Sequence, residues 1–180
     1  MAVAPRRWAA ELLHYWFHTL RPRDWFGRSD AVDAELRRRF GPDLKAMAAM
    51  SADSFLTDPL TARAAILLFD QVPRNIHRGS ADAFACDPLA RQIAYGMLWR
   101  EWDLRFPPAA RQFIAMPLMH SEAIADQLNA LAYFGRLGPR HGAPYARSHY
   151  RMIARFGRFP HRNPVLGRAS TPAELKAVAA

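Results

Sequence analysis

The sequence predicts an all-α protein built as one domain of packed antiparallel helical hairpins. Apolar residues recur at helical spacing, several helix starts pair a capping residue with proline, and no segment alternates apolar and polar residues between hairpin turns. A chain of 180 residues that is 51% hydrophobic can bury one core, and no long polar linker divides it. We therefore expect a single helical domain over residues 1–180.

The first predicted helix covers residues 6–20. Trp8, Leu12 and Trp16 fall on one face of it, whereas His14 and His18 fall on the other. The two histidines have the i,i+4 spacing of metal ligands, but the sequence supplies no third ligand nearby. We therefore interpret them as solvated side chains rather than as a metal site.

Capping residues mark later helix starts. Asp58, Asp87 and Thr171 each precede a proline, which is the pattern of an N-cap followed by the first helical residue. Glu174 stands three residues after Thr171 and completes a capping box. Ser121 is the expected cap of a further helix. The segments that begin at Asp58 and Asp87 both start "DPL", a weak sign of repeated hairpins.

The formal charge of +9 is concentrated in the C-terminal third of the chain. Residues 127–180 hold nine of the 25 Lys and Arg residues but one of the 16 Asp and Glu residues. This asymmetry favours an anionic partner, although a high arginine content alone has a compositional explanation.

Several function classes lack support in the sequence. There is no P-loop, G-x-G-x-x-G, H-E-x-x-H, G-x-S-x-G or paired C-x-x-C motif, so we expect no metal and no cofactor. Cys86 is the single cysteine, which excludes an intrachain disulfide. The apolar stretch after Arg7 is interrupted by Glu11 and makes a poor signal peptide, so we expect a cytoplasmic protein without membrane contact.

Three segments concentrate polar side chains suited to chemistry, and the first is "FDQVPRN", residues 69–75. Asp70 falls in the last turn of an apolar helix that Pro73 is expected to end, with Arg74 and Asn75 following. A carboxylate there opposes the helix dipole and needs a cation, for which Arg74 is the local candidate. The alternatives are a structural ion pair and a carboxylate held for catalysis.

The second segment is "PLMHSE", residues 117–122, in which we expect His120 to lie beside a helix N-terminus. That end is electropositive, so it can bind anions and disfavours a protonated imidazole. His120 with Asp70 or Glu122 could form a base and its orienting carboxylate. His149, on the apolar face of a later helix, is a second candidate base or a structural histidine.

The third segment is "RFGRFPHRN", residues 155–163, which "LGRAST" follows at residues 166–171. Its basic and hydrogen-bonding side chains suit the capture of a carboxylate or phosphate. They are Arg155, Arg158, His161, Arg162, Asn163 and Arg168. The alternative is that these groups cap helix ends and tie the C-terminal segment to the core.

A stripe of arginines leads into this third segment along the last long helix, predicted over residues 145–158. Arg147, Arg151, Arg155 and Arg158 share one face of that helix, with no acid between them. Because like charges repel, the stripe indicates that something acidic lies against it, either another helix of the protein or a ligand.

Together these segments resemble a known bacterial family. "DQVPRN", "RGSADAFACD", "MPLMHSE" and "RFGRFPHRN", with "WFG" at residues 25–27, are similar to the motifs of the domain of unknown function 924 family over nearly the whole chain. Val72 departs from the family pattern, in which Phe is more common. The resemblance implies a tetratricopeptide-like helical fold and implies no function. The polar groups chosen above are also those of the family motifs, and we expect them to converge.

Three functions fit these observations. The first is binding of a small phosphate- or carboxylate-bearing ligand between helices, with hydrolase or transferase chemistry as an extension. Asp70 would orient the base, which would be His120 or His149, and the anion would be held by Arg155, Arg158 and Arg162. The second is a tetratricopeptide-like scaffold for an acidic protein segment. The third is RNA or DNA binding through the stripe, which lacks interleaved exposed aromatic residues.

Overall fold

Helices make up the architecture of residues 6–179, the part of the chain that the computed structural model describes. Ten α-helices and no strand occur in this range, which confirms the all-α prediction. They are α1 (Arg7–His14), α2 (Pro22–Phe26), α3 (Asp30–Met47), α4 (Pro59–Ile66), α5 (Val72–Ile76), α6 (Asp87–Trp99), α7 (Pro108–His120), α8 (Ile124–Leu137), α9 (Ala143–Phe156) and α10 (Pro172–Ala179).

Shorter helical turns join these elements. Two are wide π turns, Tyr15–Thr19 after α1 and Leu67–Gln71 between α4 and α5. Five are 3₁₀ turns: Ala52–Ser54, Ala81–Phe84, Trp102–Arg105, Pro139–His141 and Pro160–Arg162. Among the helices of residues 6–179, none combines the length and the apolar character needed to cross a bilayer.

Helices that follow one another in the chain pack side by side from α6 to α9. α6 contacts α7, α7 contacts α8, and α8 contacts α9, while α4 packs against α1 and α6 and α3 packs against α5. Short connections between neighbours, such as residues 121–123, reverse the chain direction, as in antiparallel hairpins. The tetratricopeptide-like form of this packing stays a prediction.

The core is centred on two helical runs that also carry the candidate site. Residues 64–69 are fully buried, and so is nearly every side chain of residues 112–119 in α7. Burying each large apolar side chain of these runs contributes roughly 1.5–3 kcal/mol before conformational entropy is counted. The first run leads into Asp70 and the second ends at His120, so the best-packed part of the fold supports both side chains.

The π turn between α4 and α5 overturns one prediction. Pro73 lacks an N–H, and in a regular α-helix its ring clashes with the carbonyl four residues earlier. The wider turn accommodates it, with the Val72 N–H donating to the carbonyl of Leu67. The expectation that Pro73 ends the helix is therefore wrong: the run continues to Ile76, and Asp70 lies inside it.

The predicted helix starts are partly confirmed. The Asp58 carboxylate accepts the N–H groups of Leu60 and Thr61, each at 2.9 Å. In the capping box, the Thr171 N–H donates to Glu174 at 2.7 Å, and the Glu174 N–H donates to the Thr171 hydroxyl at 3.2 Å.

Two other predicted caps are wrong. α6 begins at Asp87 itself, so this carboxylate is free for side-chain partners. α8 begins three residues after Ser121, whose hydroxyl donates to Asp126 at 2.5 Å. His120 is therefore the last residue of α7 rather than a neighbour of a helix N-terminus.

The last long helix is shorter than predicted. α9 ends at Phe156, where Gly157 adopts a φ of 69° that favours glycine, so Arg158 lies beyond the helix. The stripe on α9 consists of Arg147, Arg151 and Arg155, all exposed. No carboxylate of residues 6–179 forms an ion pair with these three side chains, so the expected acidic partner is not supplied by this part of the chain.

Candidate functional site

A histidine and a carboxylate meet where α7 ends beside the π turn. His120 Nδ1 lies 2.7 Å from Asp70 Oδ1, and the Asp70 side chain is 0% exposed. Because an ionised carboxylate only accepts hydrogen bonds, Nδ1 carries the ring proton. The lone pair is then on Nε2, for which residues 6–179 supply no hydrogen-bond partner, and the His120 side chain lines a cavity.

Asp70 stays ionised although it is buried. Burial alone would raise its pKa, but Arg74 and His120 outweigh burial and hold the pKa of Asp70 below its usual range. Arg74 Nη1 lies 3.2 Å from Asp70 Oδ1 and donates to the Asp70 carbonyl at 2.6 Å, and the Gln71 amide donates to Asp70 Oδ2 at 2.6 Å. The local cation predicted for Asp70 is therefore confirmed.

A second carboxylate extends this network to the C-terminal segment. Asp87 accepts two hydrogen bonds from Arg74, at 2.8 and 2.9 Å, and lies 3.5 Å from Arg162 Nη1. Arg162 Nη2 also donates to the His120 carbonyl at 3.0 Å. Burial, followed by the charge of Arg74, lowers the pKa of Arg162 to about 10. Two arginines and two aspartates thus join all three predicted segments with no net charge.

A second imidazole borders the same space. His149 Nδ1 donates to the Tyr145 carbonyl at 2.9 Å, which again leaves Nε2 with the lone pair. The ring centres of His120 and His149 are 6.1 Å apart. Burial is the largest cause that lowers the pKa of both histidines, and for His120 the charge of Arg74 adds to it. Both rings are therefore neutral near pH 7.

These side chains border a cavity of about 400 Å³. One part of its wall is polar and contains Gln71, Arg74, Asn75, Arg78, Gln112, His120 and His149. The other part is largely apolar and contains Trp25, Phe26, Met116, Met119, Pro139 and Tyr145. Arg140 lies on the cavity wall beside Pro139. No aspartate, glutamate, serine, threonine or cysteine side chain lines this cavity within residues 6–179.

The cations of the wall differ in how they are compensated. Arg74 is bound by Asp70 and Asp87, and Arg78 binds Asp33 through contacts of 2.5 and 3.1 Å. Arg140 forms no ion pair with any carboxylate of the described chain. The wall therefore has one uncompensated positive charge when both imidazoles are neutral.

Comparison with known proteins assigns the family. The model of the family described as "Bacterial protein of unknown function (DUF924)" matches residues 12–180. The chain belongs to this family. The solved structure of a protein of unknown function from Agrobacterium tumefaciens is 36% identical, with a TM-score of 0.89 over 94% of this chain and 96% of that one. No curated protein matches the sequence.

In this DUF924 chain, several predicted ligand residues instead hold the C-terminal segment together and bind it to Glu122. Arg168 binds Glu122 through contacts of 2.8 and 3.0 Å, and Arg158 binds Glu174 through contacts of 2.6 and 2.9 Å. The Asn163 amide, which is buried, donates to the Ser170 hydroxyl at 3.0 Å. These contacts favour the structural alternative for this part of the segment.

The predicted site residues thus divide into two groups. The structure brings Arg74, Asn75, His120 and His149 together at the cavity, with buried Asp70 bound to the His120 ring and Arg162 bound to the His120 carbonyl. Outside the cavity lie Glu122, Arg155, Arg158, His161, Asn163 and Arg168. Arg155 and His161 are exposed there, and the other four make the contacts given above.

Sequence reasoning missed part of the cavity wall of this DUF924 protein and part of the ion-pair network behind it. Asp87 was interpreted as a helix cap because it precedes a proline, yet it bridges Arg74 and Arg162. Trp25 and Phe26 belong to the "WFG" motif, which was noted without a role. Arg140 stands in a segment predicted only as a break between helices, and no local signal indicated that it lines a cavity.

Proposed function

We propose that the cavity binds a small organic anion and that His120 acts on it as a general base. In a hydrolase the base removes a proton from water, and in a transferase it removes one from a substrate hydroxyl. The proposal includes the cytoplasmic location and the absence of a required cofactor that the sequence predicts.

The observation that carries this proposal is the Asp70–His120 pair beside the cavity. A buried carboxylate bound to Nδ1 fixes the tautomer and the ring orientation, and it stabilises the imidazolium that forms when Nε2 accepts a proton. A structural histidine needs only a partner for its polar atoms. Here one ring nitrogen is held at 2.7 Å by Asp70 while the other is left to the cavity.

The attacking group must come from solvent or substrate. No hydroxyl of Ser or Thr and no thiol lines this cavity in the described part of the chain, so a covalent intermediate on such a side chain has no support. Water or a substrate hydroxyl would give its proton to His120 Nε2 as it attacks.

His149 is the candidate for the second proton transfer. Its ring centre lies 6.1 Å from that of His120, and its Nδ1 is fixed by the Tyr145 carbonyl. Because His149 is neutral with a lone pair on Nε2, it would accept the proton that His120 Nε2 took from the attacking group and pass it to the leaving group, which returns both rings to their starting state.

The test compares turnover by the parent protein with turnover by His120→Asn. A panel of carboxylate esters, amides and phosphomonoesters serves as substrates, and His14→Asn, at an exposed position on α1, is the matched control. We expect one substrate class to be hydrolysed, with a loss of roughly 10²–10⁴-fold in His120→Asn and no loss in the control. Equal rates in parent and His120→Asn, or no turnover of any class, would reject the catalytic proposal.

A second candidate function rests on a different surface. Arg147, Arg151 and Arg155 form an exposed face on α9 without carboxylate partners in residues 6–179, which favours a tetratricopeptide-like scaffold that binds an acidic protein segment. A Glu-rich peptide should bind the parent and lose affinity with Arg151→Glu. Binding of a single-stranded oligonucleotide in place of the peptide, with a steep fall in added salt, would indicate nucleic acid instead.

A further inference from the structure

The aromatic rings and the uncompensated arginine of the cavity wall point to the class of its ligand. We infer that the cavity takes an aromatic carboxylate, that is, a planar apolar ring with one singly charged anionic group. This inference rests on the proposed function in one respect, because it assumes that the cavity beside His120 is the ligand site.

Three aromatic side chains supply the apolar part of the wall. Phe26 is 62% exposed and Tyr145 is 67% exposed, and Trp25 lies next to Phe26 in α2. Leaving large rings in contact with water at the edge of a cavity is unfavourable unless something covers them. Met116 and Met119 extend this wall with side chains that adapt to an apolar surface.

Two of these rings are held in place by the core. The Phe26 ring lies parallel to that of buried Phe113, with an interplanar angle of 5° and centres 6.0 Å apart. Trp25 packs edge-on against Phe113 at 5.1 Å and donates its indole N–H to the Trp16 carbonyl at 2.8 Å. The planes of Trp25 and Phe26 are therefore fixed at 86° to each other, a preorganised corner in which a planar ring can pack against the face of one ring and the edge of the other.

The charges of the wall limit the anionic group of the ligand. Arg74 and Arg78 are each bound by carboxylates of the protein, whereas Arg140 forms no ion pair in residues 6–179. One uncompensated cation matches a carboxylate, which carries a single charge and fits the planar guanidinium group. A phosphomonoester, with a charge near −2 at neutral pH, would bring more charge than the wall compensates.

The size of the cavity also disfavours an inorganic anion. A water molecule occupies about 30 Å³ in the liquid, so an ion of a few atoms would leave most of the 400 Å³ unfilled. The apolar wall would then remain exposed. An aryl carboxylate would cover the rings and place its charged group beside Arg140.

The test measures affinities of the intact protein for four probes by calorimetry: benzoate, cyclohexanecarboxylate, acetate and phenyl phosphate. We expect benzoate to bind on the order of tenfold more tightly than acetate, with cyclohexanecarboxylate between them and phenyl phosphate weaker than benzoate. Phe26→Ala should remove the preference for benzoate over acetate. Because Phe26 is exposed, this variant is expected to fold.

The arginine is tested with a matched pair of variants. Arg140→Gln should weaken binding of benzoate by roughly tenfold, whereas Arg136→Gln, at an exposed arginine on α8 outside this cavity, should leave the affinity unchanged. Equal affinities for acetate and benzoate, tighter binding of phenyl phosphate, or the same loss in both arginine variants would overturn the inference.

The two proposals can fail separately. Turnover that depends on His120 without a preference for aryl probes would reject the ligand class and leave the general base intact. A preference for aryl carboxylates that depends on Arg140, with no turnover of any ester or amide, would reject catalysis and leave the ligand class intact.

Discussion

A second cavity, of about 690 Å³, is larger than the candidate site, and its buried polar side chains bind one another. It lies among α6, α7 and α8, and there the Tyr133 hydroxyl donates to Asp103 at 2.8 Å while Arg111 lies 3.2 Å from the same carboxylate oxygen. In the smaller cavity, of about 400 Å³, Asp70 holds one nitrogen of His120 and leaves the other available. Volume alone would select the larger space. The ring nitrogen of His120 that Asp70 leaves without a partner identifies the smaller cavity as the better candidate for a functional site.

The carboxylates of the two cavities should differ most in their effect on turnover. Asp70→Asn replaces an acceptor by an amide that can donate to Nδ1, which moves the ring proton to Nε2. We expect turnover of the substrate identified by the panel to fall on the order of 10³–10⁴-fold. Asp103→Asn should leave turnover within about twofold once the folded fraction, checked by circular dichroism, is taken into account. Equal losses of turnover in both variants would show that the carboxylate of the smaller cavity has no special role in catalysis.

Stability should respond to Asp70 almost as strongly. Asp70→Ala removes one of the two carboxylates that bind Arg74 and leaves only Asp87 beside this largely buried cation. The free energy of unfolding should therefore fall by about 3–5 kcal/mol. Asp30→Ala, at an exposed carboxylate, should change it by no more than about 0.5 kcal/mol. Urea unfolding curves measure both. A loss below about 1 kcal/mol for Asp70→Ala would show that the buried ion pair contributes little.

The histidines of the smaller cavity should make the protein sensitive to acid. Burial lowers the pKa of His120 and His149, so the unfolded chain binds more protons than the native state once the pH falls below about 6.5. The stability contributed by the neutral histidines is fully present above that pH. It is lost as the pH falls from about 6.5 through their lowered pKa values. The slope should reach about 1.4 kcal/mol per pH unit for each histidine. Melting temperatures between pH 7.5 and 5.5 should therefore fall less steeply in His149→Asn than in the parent.

The larger cavity should show a smaller effect that is confined to stability. Tyr133→Phe removes a hydrogen bond to Asp103, for which a loss of about 1 kcal/mol is typical. Binding of benzoate should be unchanged, because Tyr133 does not line the smaller cavity. Calorimetry on the folded variant checks this, and a weaker affinity would mean that the two cavities are coupled.

The smallest effect on ligand binding is expected from the C-terminal arginines. Arg158→Ala should leave the affinity for benzoate unchanged, because Arg158 binds Glu174 outside the cavity. The same substitution should loosen α10 and make it cleave faster in limited proteolysis. A loss of affinity for benzoate in this variant would show that Arg158 contributes to ligand binding after all.

Much of this site could be predicted from local chemistry. Asp70 stands four residues before Arg74, which brings the two side chains together on any helical turn, and the ion pair is observed at 3.2 Å. His149 is a candidate because an imidazole on the apolar face of a helix needs a reason to be there, whereas the reason for choosing His120, a place beside a helix N-terminus, is wrong. These inferences needed only helical geometry and the cost of burying polar groups.

The rest depended on contacts between distant parts of the chain. Arg158 finds its acid 16 residues away and Arg168 finds Glu122 46 residues away, and no spacing rule pairs them. Asp87 stands in a capping pattern, which gives no sign of its role between Arg74 and Arg162. That role depends on the fold, because Arg74 is 13 residues away in the sequence and Arg162 is 75 residues away. Two of the three aromatic residues of the wall come from α2, whose five residues give no periodic signal.

The π turn of residues 67–71 has a consequence for how this site is built. An extra residue in a helical turn acts as a phase shift of about 100° between the helical stretches on either side. Before the turn, α4 is oriented by its buried side chains, which pack in the core. After the turn, Arg74 and Asn75 line the cavity. Losing one residue here would remove this phase shift, rotate these groups away from His120 and bring Pro73 against the carbonyl one turn before it. One extra residue in the π turn therefore sets the direction in which Arg74 and Asn75 face, and with it their contact with the other two segments.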